Sequence, residues 1–124
     1  MNILGIDFVS YEVNDVARSI AFYRDVLGLK ISSQYEDKWV EFDAPPTTFC
    51  IYNPKEFMGF PARISGGSVA FAVDDIPAAL AEFKAKGVTI VSEGFDSPVC
   101  QMAVIADPDG NGIVLHRRKD GTHG

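Results

Sequence analysis

The chain repeats itself, and the repeat limits the folds open to it. The segment Asp7-Phe8-Val9-Ser10-Tyr11-Glu12-Val13-Asn14-Asp15 is matched sixty positions later by Gly67-Ser68-Val69-Ala70-Phe71-Ala72-Val73-Asp74-Asp75. Val9 aligns with Val69, Tyr11 with Phe71, Val13 with Val73 and Asp15 with Asp75. Large apolar residues at every second position mark each segment as a half-buried strand. Self-similarity at a fixed offset means that one supersecondary unit is used twice.

The match runs on into a helix. Val16, Ile20 and Tyr23 align with Ile76, Leu80 and Phe83, a spacing that lays one apolar stripe along a helix. Asn14 or Asp15, and Asp74 or Asp75, are the expected N-caps, because a short side-chain oxygen can accept from the orphan N–H groups of a first turn. Pro77 falls where its missing N–H costs nothing. Gly28 and Gly87 are placed to end the helices in a left-handed conformation. A short apolar strand follows in each copy, at 29–31 and 88–91. Two more strands close each copy, at about 38–42 and 48–52 in the first and about 101–106 and 112–117 in the second. Asp107-Pro108-Asp109-Gly110-Asn111-Gly112 joins the last pair as a strong turn signal, and Ala44-Pro45-Pro46 joins the earlier pair. A Gly- and Pro-rich linker, about 53–67, separates the halves. The expected fold is α+β, with two tandem βαβββ modules whose mixed sheets curve around a cavity and carry their helices outside. One domain covers 1–124, with module one at about 1–56 and module two at about 64–119.

A chain of 124 residues can bury a real core without staples. Its net charge of −6 argues against nucleic acid, whose phosphates need a basic surface. The one basic cluster, Arg117-Arg118-Lys119, reads as a solvated end. No apolar run approaches the roughly 18 residues a membrane span needs. The opening MNILGIDFVSYEV has no basic region and no small-residue cleavage site, so a cytoplasmic location away from membranes is expected. Cys50 and Cys100 form no CxxC pair. Two reduced thiols are the expectation, with a disulfide or a reactive thiol as the alternatives.

Two stretches carry a resemblance. Residues 8–29, containing Ser19-Ile20-Ala21-Phe22-Tyr23-Arg24-Asp25-Val26-Leu27-Gly28-Leu29, and the turn Asp107-Pro108-Asp109-Gly110-Asn111 followed by Ile113-Val114-Leu115, resemble the vicinal oxygen chelate superfamily. That group holds glyoxalase I, extradiol dioxygenases, fosfomycin-resistance enzymes and bleomycin-resistance proteins. The resemblance covers nearly the whole chain and implies a homodimer. It also implies, for the enzymes of the group, a divalent metal held by one residue from each of four strands. Those positions fall here at Phe8, Cys50, Ser68 and Val114. Phenylalanine and valine have no lone pair, serine alone is a poor ligand, and one thiol cannot fix a metal. No metal and no other cofactor is therefore expected.

Strand alternation then says what lines the cavity. Phe8, Ser10 and Glu12 face it from the first strand, and Ser68, Ala70 and Ala72 from its repeat. Trp39, Glu41, Cys50, Tyr52, Val114 and His116 face it from later strands. Glu41, His116 and Glu12 are the candidate acid–base groups. Phe8, Ser10, Trp39, Cys50, Tyr52, Ser68 and Val114 are candidate ligand contacts. Plainer roles stand beside these: solvated carboxylates for Glu12 and Glu41, an exposed or dimer-contact imidazole for His116, and packing for Trp39. There is no GxSxG elbow, no P-loop and no GxGxxG. The leading expectation is a metal-free protein that binds a small molecule, similar to the bleomycin-resistance proteins and suited to a cationic or aromatic compound. The alternative is a glyoxalase-like lyase or isomerase using carboxylate and histidine chemistry, with or without a metal. A third reading is an interaction module whose cavity is filled by side chains.

Overall fold

A computed structural model describes residues 1–124 except Ile3, Gly5, Ser65 and Gly124, and except the side chains of Phe57, Met58 and Phe95. The chain divides into two compact units, Met1–Ile64 and Ser65–Gly124. In the first, β1 (Phe8–Glu12) leads into α1 (Val16–Ile20), which runs on as a π-helical segment (Ala21–Val26). Then come β2 (Lys30–Tyr35), β3 (Trp39–Ala44), β4 (Thr47–Tyr52) and a short helix α2 (Pro54–Met58). The second unit holds β5 (Val69–Ala72), α3 (Ile76–Ala85), β6 (Thr89–Asp96), β7 (Cys100–Ala106) and β8 (Gly112–Arg118). The sheet orders are β1-β4-β3-β2 and β5-β8-β7-β6. In each, the first strand pairs parallel with the last and the other pairs are antiparallel. The architecture is the α+β fold of two tandem βαβββ modules.

The caps sit where side-chain chemistry puts them. Asp15 accepts from the N–H of Arg18, and Asp75 accepts from the N–H of Ala78. Gly28 and Gly87 take φ values of 77° and 74°, where a side chain would be strained. The linker differs from the expectation of an irregular stretch. Asn53 caps α2 by accepting from the N–H of Lys55, Pro54 opens the first turn, and Gly59 closes the helix at φ 82°. Its Pro and Gly therefore bound a helix rather than break the chain. Ser65, also within that linker, lies outside the described residues.

Each sheet packs one face under its own helix. In the first unit Tyr11, Val40, Phe42, Phe49 and Ile51 are buried, and α1 packs on β3 and β4 with Val16 and Ile20 inward. Tyr23, from the π-helical segment, lies 5.0 Å from Phe49 and 5.9 Å from Phe42 between ring centres. In the second unit Ile76, Leu80 and Phe83 of α3 are buried, as are Ala103, Ile105, Ile113 and Leu115 of its sheet. Each large side chain so buried contributes roughly 2 kcal/mol. The Asp107–Asn111 turn is fixed by its own side chains. Asp107 Oδ1 accepts from the N–H groups of Asp109 (2.9 Å) and Asn111 (2.8 Å), and Oδ2 accepts from Asn111 Nδ2 (2.9 Å). Both residues are buried, where charge-assisted bonds of this kind hold a turn firmly.

Candidate ligand-binding site

The pleat sends the other set of side chains to the face of the first sheet away from α1. Strand register sets their neighbours. Glu12, Tyr52 and Trp39 form one cross-strand row, and Ser10, Cys50 and Glu41 form the next. Phe8 pairs with Thr48 one row further along.

The rings close over the middle row. Trp39 lies 5.2 Å from Tyr52 and 5.4 Å from Phe8, the latter edge-on at 88°. The indole thus spans from the Tyr52 row toward the Phe8 row, across the one that Cys50 occupies. Its Nε1 donates to Glu41 Oε2 at 3.0 Å, which fixes both side chains. Glu41 is half-buried. Cys50 is fully buried. Burial first, and then the Glu41 carboxylate, push its thiol up to about 11. At neutral pH it is a protonated thiol and a weak nucleophile.

Glu12 is held differently. Arg63 grips it with Nη2 at 2.9 Å from Oε2 and Nε at 3.1 and 3.0 Å from the two oxygens. The backbone N–H of Arg63 also donates to Oε1, at 3.3 Å. The hydrogen bonds to Glu12 and its charge hold the guanidinium above its ordinary pKa, with a smaller contribution from the Tyr52 hydroxyl. The guanidinium also lies over the Phe60 ring, 5.0 Å from its centre. Neither Arg63 nor Phe60 was legible as a site residue. Both lie in the expected linker, and the pairing spans 51 positions with no local pattern to reveal it.

The remaining candidates lie in the second unit. Ser68 is exposed just ahead of β5. Val114 and His116 are half-buried on β8, opposite Ala70 and Ala72 of β5 and Val104 and Met102 of β7. His116 thus has apolar cross-strand neighbours and no carboxylate in its row to orient the imidazole. The structure brings Phe8, Ser10, Glu12, Trp39, Glu41, Cys50 and Tyr52 onto one sheet; Val114 and His116 belong to the other, and Ser68 lies just ahead of its first strand.

The positions where the resemblance implies metal ligands do not fit one. Phe8 packs edge-on to Trp39, Val114 stands between Ala70 and Val104, Cys50 is a single thiol on β4, and Ser68 offers a lone hydroxyl. Zinc requires imidazole, thiolate or carboxylate, and harder cations require several oxygens. Among the described residues, no three His, Cys, Asp or Glu side chains are grouped to hold an ion. No described helix is long and apolar enough to cross a membrane.

A duplicated βαβββ chain with these two sheet orders is a domain of the vicinal oxygen chelate type. The chain belongs to the Glyoxalase/Bleomycin resistance protein/Dioxygenase superfamily, whose model matches residues 5–115. Solved structures agree in fold. A lactoylglutathione lyase from Agrobacterium tumefaciens is similar at a TM-score of 0.76 and 20% identity, over 94% of this chain and 96% of that one. A glyoxalase/bleomycin resistance protein/dioxygenase from Nocardioides is similar at 0.72 and 19%, over 98% and 88%. A member of the same superfamily from Sphaerobacter thermophilus is similar at 0.73 and 22%, over 93% and 98%. Identities this low carry the fold and not the activity. A search of curated proteins finds no match.

Proposed function

We propose that this chain is a small-molecule-binding protein that works without a metal, taking a planar aromatic or cationic compound on the Trp39 face of its first sheet. One observation carries the reading: the indole of Trp39 is locked between two further rings and hydrogen-bonded to the half-buried Glu41. Flat rings supply contact area at low entropic cost, and a carboxylate among them attracts a cation. The net charge of −6 favours the same ligands. Acid–base catalysis by Glu12, Glu41 and His116 has less support, because Glu12 is tied to Arg63 and His116 lacks an orienting carboxylate in its row. The proposal includes the homodimer that the resemblance implies and the cytoplasmic location expected from the sequence.

The test is thermal melting against a panel of planar aromatic cations and their neutral isosteres. Ligands that bind only the folded state raise the melting temperature with concentration. The reading expects at least one cation to do so in the wild type and to lose most of its effect in Glu41→Gln. A panel that never shifts the melting temperature sinks it.

A further inference from the structure

A protein that recognises a planar cation needs two things in one place: a carboxylate that can accept two parallel N–H bonds, and a ring to stack on. The first unit has both at Glu12 and Phe60, and they are filled from within. Arg63 donates through Nη2 and Nε to Glu12 and stacks on Phe60. Glu12 is in register with Tyr52, whose ring meets Trp39. The pair is therefore continuous with the face assigned to ligand binding. We propose that Arg63 is a built-in occupant of the Glu12 end of that face, and that the outside ligand taken there is an amidinium or guanidinium cation that displaces it.

The inference rests on the binding role assigned to this face and adds a ligand class and a competitor. Exposure fixes which partner belongs to the site. The Glu12 side chain is 13% exposed and that of Arg63 is 69% exposed. The carboxylate is part of the sheet, and the guanidinium arrives from solvent. A half-buried carboxylate is costly with no cation beside it, so the folded chain keeps Arg63 there until another cation replaces it. Replacement is feasible. Residues 60–64 lie outside every helix and strand, so Arg63 can withdraw without breaking a sheet ladder. An ion pair with so exposed a partner is held only weakly. An incoming ligand reproduces the fork and the stacking of the Arg63 side chain.

The experiment is calorimetric titration of the full chain with benzamidinium, and with neutral benzamide, in the wild type, Arg63→Ala and Arg63→Lys. Melting and circular dichroism confirm that each variant folds. Removing the internal competitor should tighten benzamidinium binding about fivefold, the effect an exposed ion pair of this kind can exert. Arg63→Lys, which keeps the charge and loses the fork, should show a smaller gain. Benzamidinium bound by Arg63→Ala but not detectably by the wild type supports the same conclusion. Equal or weaker binding in Arg63→Ala overturns the inference and leaves the ligand-binding face standing. Benzamide binding as tightly as benzamidinium overturns the cation assignment. Failure of every variant to bind either probe overturns the inference, while the ligand-binding reading stands or falls on the melting panel.

Discussion

Cys50 and Glu41 stand opposite each other on β4 and β3, and their proximity sets the state of the thiol. An exposed cysteine beside a cation ionises easily, but this one is fully buried beside an anion. Its folded pKa of about 11, against an ordinary 9.0, has a definite sign in stability. Below pH 9 both folded and unfolded thiols are protonated, and the contribution is fully present. Between about 9 and 11 the unfolded chain releases a proton that the folded chain keeps, so the contribution is lost as pH rises. Urea unfolding of wild type and Cys50→Ala should show the stability gap narrowing between pH 8 and pH 10.5. An unchanged gap would mean that Cys50 ionises normally. Gly94 is the other residue with a single physical reason. It sits at φ 102°, and a Cβ there would lie 1.6 Å from the carbonyl oxygen of Met102. Gly94→Ala should cost at least about 2 kcal/mol by urea denaturation, since the clash is with backbone and cannot be relieved by a rotamer. A near-neutral result would place β6 differently against β7.

At the scale of elements, what was legible depended on whether a local signal was undisturbed. The Asp15 and Asp75 caps, the Gly28 and Gly87 stops and the alternation of β1 and β3 each rest on neighbouring residues, and the structure has them where the pattern put them; in β4, by contrast, Cys50 and Tyr52 are buried along with Phe49 and Ile51. β6 was read as 88–91, yet it runs to Asp96. Register shifts between Ile90 and Ser92 and between Ser92 and Phe95 break the period of two, so the later half had no pattern to read. α2 was hidden because Pro54 and Gly59 are caps that look like breakers in isolation. The caps can be weighed directly. Asp15→Ala and Asp75→Ala should each lose about 1 kcal/mol in chemical denaturation. Their losses should add, because each cap serves a different unit. A loss of a few tenths in either would mean that water satisfies that first turn equally well.

At the scale of the molecule, the duplicated framework was readable from the sequence and the site only in part. Alternation placed Trp39, Glu41, Cys50 and Tyr52 on one face because register follows from the pleat. It could not show that the indole would hydrogen-bond to Glu41, nor that Arg63 would return from the linker to hold Glu12. Both depend on side-chain geometry across long separations, which periodicity does not encode. The same geometry supplies a built-in probe. Trp39 is the single tryptophan of the chain, so its emission reports on the proposed site. The most direct measurement is a titration of that emission with the planar aromatic cations of the melting panel, in the wild type and in Glu41→Gln. Saturable quenching or a spectral shift in the wild type, weakened roughly tenfold when the carboxylate becomes an amide, is the predicted result. A Trp39 spectrum that stays unchanged while calorimetry registers ligand binding would put the ligand elsewhere and contradict the account.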